Sequence, residues 1–283
     1  MRRSANNRNG NESASPGRAL RVRHPALLLC LGLGCAQADP LFRDSFEHPP
    51  YALNDSGVVF CGVAVDGNND PCTGSEPQGQ DRHHGRDARA LAGTLVKVGA
   101  GDAGFDFSKI GNAGQTLPAS ATLGTGANDW ACTRDHTTGL LWEVKLNQPG
   151  HLRYQGHTYS WYDPDSGDGN PGSIGDTTTC ADTLAGQACN TRNFRDAVNA
   201  SGLCGHNDWR LPRLGELLGL VNFQRLNPSI DASYFPNTPS LYFWSVDPAA
   251  GAASTAWSVH FDQGGASPNL RSQVFRVRLV RGP

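Results

Sequence analysis

The stretch from Trp161 to Gly172 carries closely spaced side-chain oxygens separated by glycines. Ca²⁺ prefers such carboxylate and amide oxygens, and glycine permits the tight turns that bring them around one ion. The candidate calcium ligands are Asp163, Asp165, Asp168 and Asn170. Their spacing is not that of an EF-hand loop, which has a D-x-[DN]-x-[DN]-G core and a glutamate at position 12. Calcium is therefore the one cofactor that the sequence suggests, and a solvated, turn-rich loop without metal is the alternative.

Two candidate ligand-binding surfaces accompany this loop. Trp161 and Tyr162 are aromatic residues that either stack on a sugar ring or anchor the loop. A cationic surface is predicted near the C-terminus from Arg271, Arg276 and Arg278. Strand alternation places Arg276 and Arg278 together on a solvent-exposed face, where guanidinium groups bind sulfate or phosphate through two hydrogen bonds. The alternative is that these arginines pair with Asp or Glu.

A further group of residues is predicted to be structural. Indole rings bury a large apolar area, and an arginine forks onto a carboxylate or onto carbonyl groups. No catalytic residue is predicted, because the sequence has no Gly-x-Ser-x-Gly elbow, no P-loop and no Rossmann glycine pattern. The residues assigned to the core and to its Trp-Arg-Leu-Pro motif are Trp142, Trp209, Arg210, Pro212, Glu216, Trp244 and Trp257.

The elements that must position these residues follow from hydrophobic periodicity. A helix is predicted from about Thr191 to Ala200, with Gly202 placed to end it. A second helix follows Pro212, because apolar residues recur at helical spacing from Leu214 to Val221. Three strands with period-two alternation are predicted at the end of the chain, over residues 241–246, 257–261 and 275–279. Two helices on such an antiparallel sheet predict an α+β fold.

The start of the chain has the pattern of a secretory signal. Basic residues precede an apolar run over residues 26–33, and Ala36-Gln37-Ala38 stands before Asp39. We therefore expect residues 1–38 to be a signal peptide, with a lipoprotein cysteine at Cys35 as the alternative. The run is too short for a membrane-spanning helix, and no other apolar segment is long enough. The expected location is secreted, periplasmic or at the cell surface.

The net charge of residues 39–283 indicates which partners to expect. Six of the 24 Lys and Arg and one of the 26 Asp and Glu precede Asp39, which leaves 18 basic and 25 acidic residues and a net charge of −7. Nucleic acid is therefore not expected as a partner.

Six cysteines remain in residues 39–283, and an even number in an exported chain predicts three disulfides with 15 connectivities. Sequence proximity favours Cys61–Cys72 and Cys180–Cys189, which leaves Cys132–Cys204. A zinc site is disfavoured, because no Cys-x-x-Cys pair occurs.

Several motifs occur in an order that resembles the Lcl C-terminal domain family over residues 127–283. The motifs are Thr138-Gly139-Leu140-Leu141-Trp142-Glu143, Asn207-Asp208-Trp209-Arg210-Leu211-Pro212, Phe243-Trp244-Ser245, Ala256-Trp257-Ser258-Val259-His260-Phe261 and Val277-Arg278-Leu279-Val280-Arg281. Weaker similarity to the upstream part of longer members lies at residues 53–57 and 84–88. Residues 39–126 are interpreted as a loop-rich N-terminal extension with short strands.

The resemblance implies a C-type-lectin-like α+β fold, which is also similar to the formylglycine-generating and sulfatase-modifying group. The named member of the family is an adhesin whose domain binds sulfated polysaccharides. This chain has Arg213 where the family commonly has a threonine, which would cap the second helix. The calcium-binding and sugar-binding triplets of C-type lectins are absent from the sequence.

We therefore expect an exported, non-catalytic binding or adhesion module for a glycan, sulfated polysaccharide or envelope partner. One alternative is a structural cell-envelope protein without a small ligand. Another is a metal- or thiol-dependent enzyme of the formylglycine-generating type, which requires a free thiol or a bound metal.

Overall fold

The structure is a computed structural model that describes residues 52–63, 67–70, 72, 77 and 79–282. The predicted signal peptide and the alternative lipidation site at Cys35 lie outside these residues. Within the described part of the chain, no helix is both long enough and apolar enough to cross a membrane.

The described residues form a mixed fold of small antiparallel sheets with a few helices and three disulfides. The strands are β1 (Cys61–Val63), β2 (Gly67–Asp70), β3 (Phe107–Gly111), β4 (Trp130–Asp135), β5 (Leu141–Glu143), β6 (Tyr159–Ser160), β7 (Tyr242–Pro248), β8 (Thr255–His260), β9 (Gly265–Leu270), β10 (Val274–Phe275) and β11 (Val280–Arg281). The helices are α1 (Gly85–Leu91), α2 (Thr191–Ser201) and α3 (Leu214–Leu218), with single 3₁₀ turns at Asp81–His83 and Leu203–Gly205.

The central sheet has the strand order β11-β5-β4-β3, and a second sheet has the order β7-β8-β9. Two short ribbons, β1-β2 and β6-β10, complete the pairing. In the central sheet Trp142 lies between Thr133 on one side and Val280 on the other. The edge strand β3 comes from residues 39–126 and pairs with β4 over its whole length. That region therefore supplies part of the sheet that the C-terminal motifs build.

The central sheet is buried on both faces by two hydrophobic clusters. The first cluster contains Leu141, Phe194 and Trp244, and the second contains Trp142 and Phe107. Successive strand residues point to opposite faces, so adjacent apolar residues are needed where both faces are covered. The run Leu140-Leu141-Trp142 meets this requirement, because all three side chains are at most 2% exposed.

The three disulfides join Cys61 to Cys72, Cys132 to Cys204 and Cys180 to Cys189, the pairs that sequence proximity favours. The Cys132–Cys204 bond ties β4 to the turn that follows α2, across a separation of 72 residues. Both of its cysteines are fully buried in the first cluster. The bond therefore fixes the helix layer to the central sheet.

The predicted helix α2 is confirmed, and its ends have the expected chemistry. The Asn190 side chain accepts a hydrogen bond from the Asn193 backbone N–H at 2.9 Å. Gly202 ends the helix with a φ of 65°, a left-handed conformation that glycine adopts without steric cost. Phe194 and Val198 lie on its buried face.

Helix α3 is shorter than predicted, and its first turn is capped from another element. The Leu214 backbone N–H donates to Asp247 Oδ2 at 2.5 Å, and the Arg213 N–H donates to Glu216 at 2.7 Å. The carboxylate of β7 residue Asp247 thus takes the place of the capping side chain that Arg213 does not provide.

The strand predicted over residues 257–261 is present as β8, but the burial predicted for Trp257 and the single strand predicted over residues 275–279 are wrong. Trp257 was assigned to the core but is only half-buried, because it lies opposite the exposed Pro268 of the edge strand β9. Its neighbours Ala256 and Ser258 are fully buried, as is Val259 in the same strand. The single strand predicted over residues 275–279 is two short strands, because β10 pairs with β6 whereas β11 pairs with β5. By contrast, Trp142, Trp209 and Trp244 are buried.

The upstream segments 53–57 and 84–88 lie against each other. Asp55 accepts a hydrogen bond from the Asp87 backbone N–H at 2.9 Å, and the fully buried Asp87 carboxylate accepts from Gly57 at 2.7 Å and Gly104 at 2.6 Å. Gly85 has a φ of 69°, and a Cβ added there would lie 2.2 Å from Asp55 Oδ2. Burial raises the pKa of Asp87, the backbone donors oppose the rise, and the Asp55 charge adds to it.

A buried ion pair lies inside the central sheet. Lys145 Nζ is 2.7 Å from Glu143 Oε1, and both side chains are at most 3% exposed. Burial lowers the pKa of Lys145 from 10.5 to about 8, and the Glu143 carboxylate opposes this shift. The second Glu143 oxygen accepts the Leu279 N–H at 3.0 Å.

We predict that stability rises with pH between about 8 and 10.5 because of Lys145. Between these pH values Lys145 is protonated in the unfolded chain but deprotonated in the folded protein. Its contribution to the free energy of unfolding is therefore complete above pH 10.5 and is lost as the pH falls through the folded-state pKa of about 8. The expected gain across the window is about 3 kcal/mol. Urea unfolding of the protein and of Lys145→Met at several pH values measures it.

Lys145→Met should lose this pH-dependent gain, and at neutral pH it should be destabilised by about 3 to 5 kcal/mol because the buried Glu143 loses its partner. The double variant Glu143→Gln/Lys145→Met is the matched control and should recover part of that loss. Equal pH slopes for the wild-type protein and Lys145→Met would contradict the assignment.

Candidate functional site

An open cleft of about 600 Å³ lies in the region covered by the C-terminal motifs. Its walls are the loop over residues 161–172 after β6, which we call the acidic loop, the first turns of α2, the segment before α3 and the end of β7. Four of its lining residues are arginines, and we call it the arginine cleft. The arginines are Arg192, Arg195, Arg210 and Arg213.

The acidic loop is held by arginines, and its oxygens do not converge. Asp165 and Asp163 lie 2.8 Å and 3.6 Å from Arg192, whereas Asp168 pairs with Arg271. Asn170 accepts from the Gly172 N–H at 2.9 Å and donates to Ala253 O at 2.7 Å. Among the described residues, the acidic groups close enough to share a metal ion are a different set, Asp55, Asp81 and Asp87. The four candidate calcium ligands are therefore not brought together.

Arg271 and Trp161 are buried parts of the loop's anchor, which corrects their assignment to a ligand-binding surface. Arg271 is 2% exposed and lies 4.1 Å above the Trp161 ring, which is itself 1% exposed. The guanidinium binds Asp168, Asn170 O and Thr255 O, because the loop folds back over it. Hydrogen bonds from Arg271 and from Ser166 lower the pKa of Asp168 to about 2.

The predicted exposed face shared by Arg276 and Arg278 is wrong. Arg278 is fully buried, donates to Glu143 O at 2.8 Å and Thr238 Oγ1 at 2.7 Å, and lies over the rings of Phe235 and Phe243. Burial lowers the pKa of Arg278 to about 10. Arg276 is half-buried and donates to Gln155 O at 3.2 Å. The reason is that residues 276–279 join two strands of different sheets, so strand alternation does not apply to them.

The Trp-Arg-Leu-Pro motif forms one wall of the cleft. Arg210 forks onto Glu216 through two hydrogen bonds of 2.7 and 2.6 Å, which is the carboxylate alternative of the two partners expected for it. Its backbone pairs with Val280 in both directions, and the Pro212 carbonyl accepts from Val246 at 2.8 Å. The Trp209 indole N–H donates to Leu203 O at 3.1 Å. These contacts fix the position of the residue that follows, Arg213.

Arg213 differs from its neighbours in the cleft. Arg192 is bound by three carboxylates, and Arg195 lies 2.6 Å from Asp196. The Arg213 side chain is exposed, and no carboxylate of the described residues lies within ion-pair distance of its guanidinium. The cleft therefore offers a cation whose charge is not already neutralised.

Tyr162 stands beside these cations in the cleft wall. It is half-buried, and its backbone N–H and carbonyl both bind Thr191 Oγ1 at 2.9 Å. The aromatic ring is thus attached to the first residue of α2. Among the residues predicted to contact a glycan, Tyr162 is the one that lines the cleft and is partly exposed. Sequence reasoning missed Arg192 and Arg195, whose three-residue spacing on a predicted helix was the available signal.

Comparison with known families places the cleft inside one recognised region. A family described as the Lcl C-terminal domain matches residues 131–281, which is 151 of 283 positions and more than half of the chain. All cleft residues fall within this range. No curated protein and no solved structure matches the chain significantly.

We predict that Arg271→Met releases the acidic loop. Asp168 and the Asn170 carbonyl would lose a buried donor, and stability should fall by about 2 to 4 kcal/mol. Hydrogen exchange of residues 163–172 should accelerate, as measured by mass spectrometry. Arg195→Met is the control, because its neighbouring ion pair is surface-exposed and worth less than about 1 kcal/mol. Unchanged exchange in the Arg271 variant would contradict the anchor role.

Proposed function

We propose, from the premise that this chain belongs to the Lcl C-terminal domain family, that it is an exported, non-catalytic module that binds an acidic glycan in the arginine cleft. Sulfated polysaccharide is the ligand class that fits best. The observation that carries the proposal is the exposed Arg213 guanidinium, which has no carboxylate partner within the described part of the chain, in a cleft that Arg192, Arg195 and Arg210 also line.

The chemistry of the cleft favours a sulfate or carboxylate group. A guanidinium presents a planar fork of N–H donors that matches such an anion through two hydrogen bonds. Four carboxylates also line the cleft, and each has a partner: Asp163 and Asp165 lie beside Arg192, Glu216 is bound by Arg210, and Asp247 accepts from the α3 backbone. The preference for an anion therefore rests on Arg213. Cation-mediated binding of this type needs no metal ion.

The half-buried ring of Tyr162 complements the charge. A sugar ring has an apolar face as well as polar edges, and an aromatic side chain packs against that face. Since the backbone of Tyr162 is fixed by Thr191, the ring position is set before any ligand arrives. Such preorganisation lowers the entropic cost of binding.

The proposed architecture is C-type-lectin-like. Two antiparallel sheets, two helices within the family region and disulfides that staple long loops support it. In this arrangement the cleft is built by loops and element ends on a disulfide-held scaffold, as is common for binding sites.

Export and the absence of catalysis are part of the same proposal. Disulfides persist in oxidising compartments, and the six described cysteines all form them. The signal-like pattern of residues 1–38 agrees with this location. The thiol-dependent form of the enzyme alternative needs a free thiol, whereas the six described cysteines are paired in disulfides.

We predict that Arg213→Gln lowers the affinity for dextran sulfate about tenfold, the effect of losing one charge-assisted contact of about 1.4 kcal/mol. Arg89→Gln removes an equally exposed arginine from α1 and should leave the affinity unchanged. Isothermal titration calorimetry with both variants measures this. Both proteins should unfold at the wild-type temperature, because neither side chain forms a described ion pair.

Ligand controls separate charge from sugar recognition. Uncharged dextran should bind far more weakly than dextran sulfate, and affinity for the sulfated polymer should fall as salt is raised from low to physiological strength. Equal loss in the Arg89 and Arg213 variants would show diffuse charge attraction instead of a site. No binding to either polymer, with self-association in solution, would favour the structural envelope alternative.

A further inference from the structure

The three disulfides differ in their surroundings. The bonds Cys132–Cys204 and Cys180–Cys189 lie inside the first hydrophobic cluster, with all four residues fully buried. The Cys61–Cys72 bond lies outside both clusters, upstream of the family region, and joins the buried Cys61 to the half-buried Cys72. Among the described cysteines, Cys72 is therefore the one that an external thiol reaches without opening the core.

A histidine stands next to the buried sulfur of this bond. His83 Nε2 is 3.5 Å from Cys61 Sγ. An imidazolium beside a sulfur stabilises the thiolate, and a more stable thiolate is a better leaving group in disulfide exchange. The arrangement therefore favours attack at Cys72 and departure of Cys61, because Cys72 is only half-buried and the fully buried Cys61 has the stabilising neighbour.

We propose that Cys61–Cys72 is a thiol–disulfide exchange site, selectively opened by a thiolate of a small molecule or of a partner protein. The incoming thiolate attacks Cys72 Sγ and forms a new S–S bond there. The Cys61–Cys72 bond breaks, and its electron pair leaves on Cys61 Sγ, where the neighbouring His83 ring stabilises it. The external thiol is oxidised to a mixed disulfide and the internal disulfide is reduced. A second external thiolate releases Cys72 by the same step.

The fold around β1 tolerates this opening. Gln80 accepts the Gly62 N–H at 2.6 Å and donates to the Gly62 carbonyl at 2.8 Å, and Arg82 donates to Val59 O at 2.5 Å. These contacts hold β1 to the turn that carries His83 when the disulfide is open. By contrast, opening Cys132–Cys204 releases a 72-residue loop from the central sheet.

The test is limited reduction of the mature protein. The protein is exposed to increasing dithiothreitol, trapped with N-ethylmaleimide and digested, and labelled cysteines are located by mass spectrometry. We expect Cys61 and Cys72 to be labelled while the other four cysteines stay oxidised, with circular dichroism unchanged. Labelling of Cys132, Cys180, Cys189 or Cys204 at the same dithiothreitol concentration would overturn the proposal.

Two further arms test the direction of the exchange and the role of the histidine. Reaction with glutathione should give an adduct on Cys72, and an adduct on Cys61 would overturn the assignment of the leaving sulfur. His83→Phe should slow the reduction about tenfold, because the leaving thiolate loses its stabilising neighbour. His84→Phe is the matched control at an exposed neighbouring histidine and should reduce at the wild-type rate. Equal rates for both variants would remove His83 from the mechanism.

Discussion

The interior of this protein depends on how Glu143 is satisfied. β5 lies between β4 and β11 and is buried on both faces, so the carboxylate on it must find its partners within the protein. The Glu143 carboxylate binds Lys145 with one oxygen and the Leu279 N–H with the other, and its carbonyl accepts from Arg278. One residue thus joins the central strand to the last segment of the chain. The two hydrophobic clusters can form on opposite faces because this polar group between them is paired.

Arginine serves two opposite purposes here. Arg271 and Arg278 are buried over aromatic rings and bind carbonyls and hydroxyls, a role suited to the flat, weakly hydrated guanidinium. Arg213 stays in solvent at the mouth of the cleft. Only three lysines occur in the whole sequence, at positions 97, 109 and 145. Apart from the buried Lys145, the structural and proposed cationic roles described above therefore rest on arginine.

The parts of the fold set by local chemistry could be predicted from the sequence. Helix α2 followed from its apolar spacing and from Gly202, and a structural role for Arg210 followed from its residue type, although its partner Glu216 was not named. The prediction failed where the chain passes from one sheet to another: alternation over residues 275–279 looks like one strand, but the hydrogen-bond partners change midway. The cleft could not be predicted, because it combines segments more than 80 residues apart, and single-sequence patterns do not report which loops meet in space.

The start of the family match falls between two paired strands, β3 and β4. The match begins at residue 131, one residue into β4, whereas the neighbouring strand, with Phe107 in the second cluster, precedes it. A fragment cut at that boundary would present β4 as an unpaired edge with apolar surface beside it, the kind of surface on which chains aggregate. The region matched by the family is therefore smaller than the unit that folds. The upstream strand β3 covers the edge of β4 that the family region alone would leave unpaired.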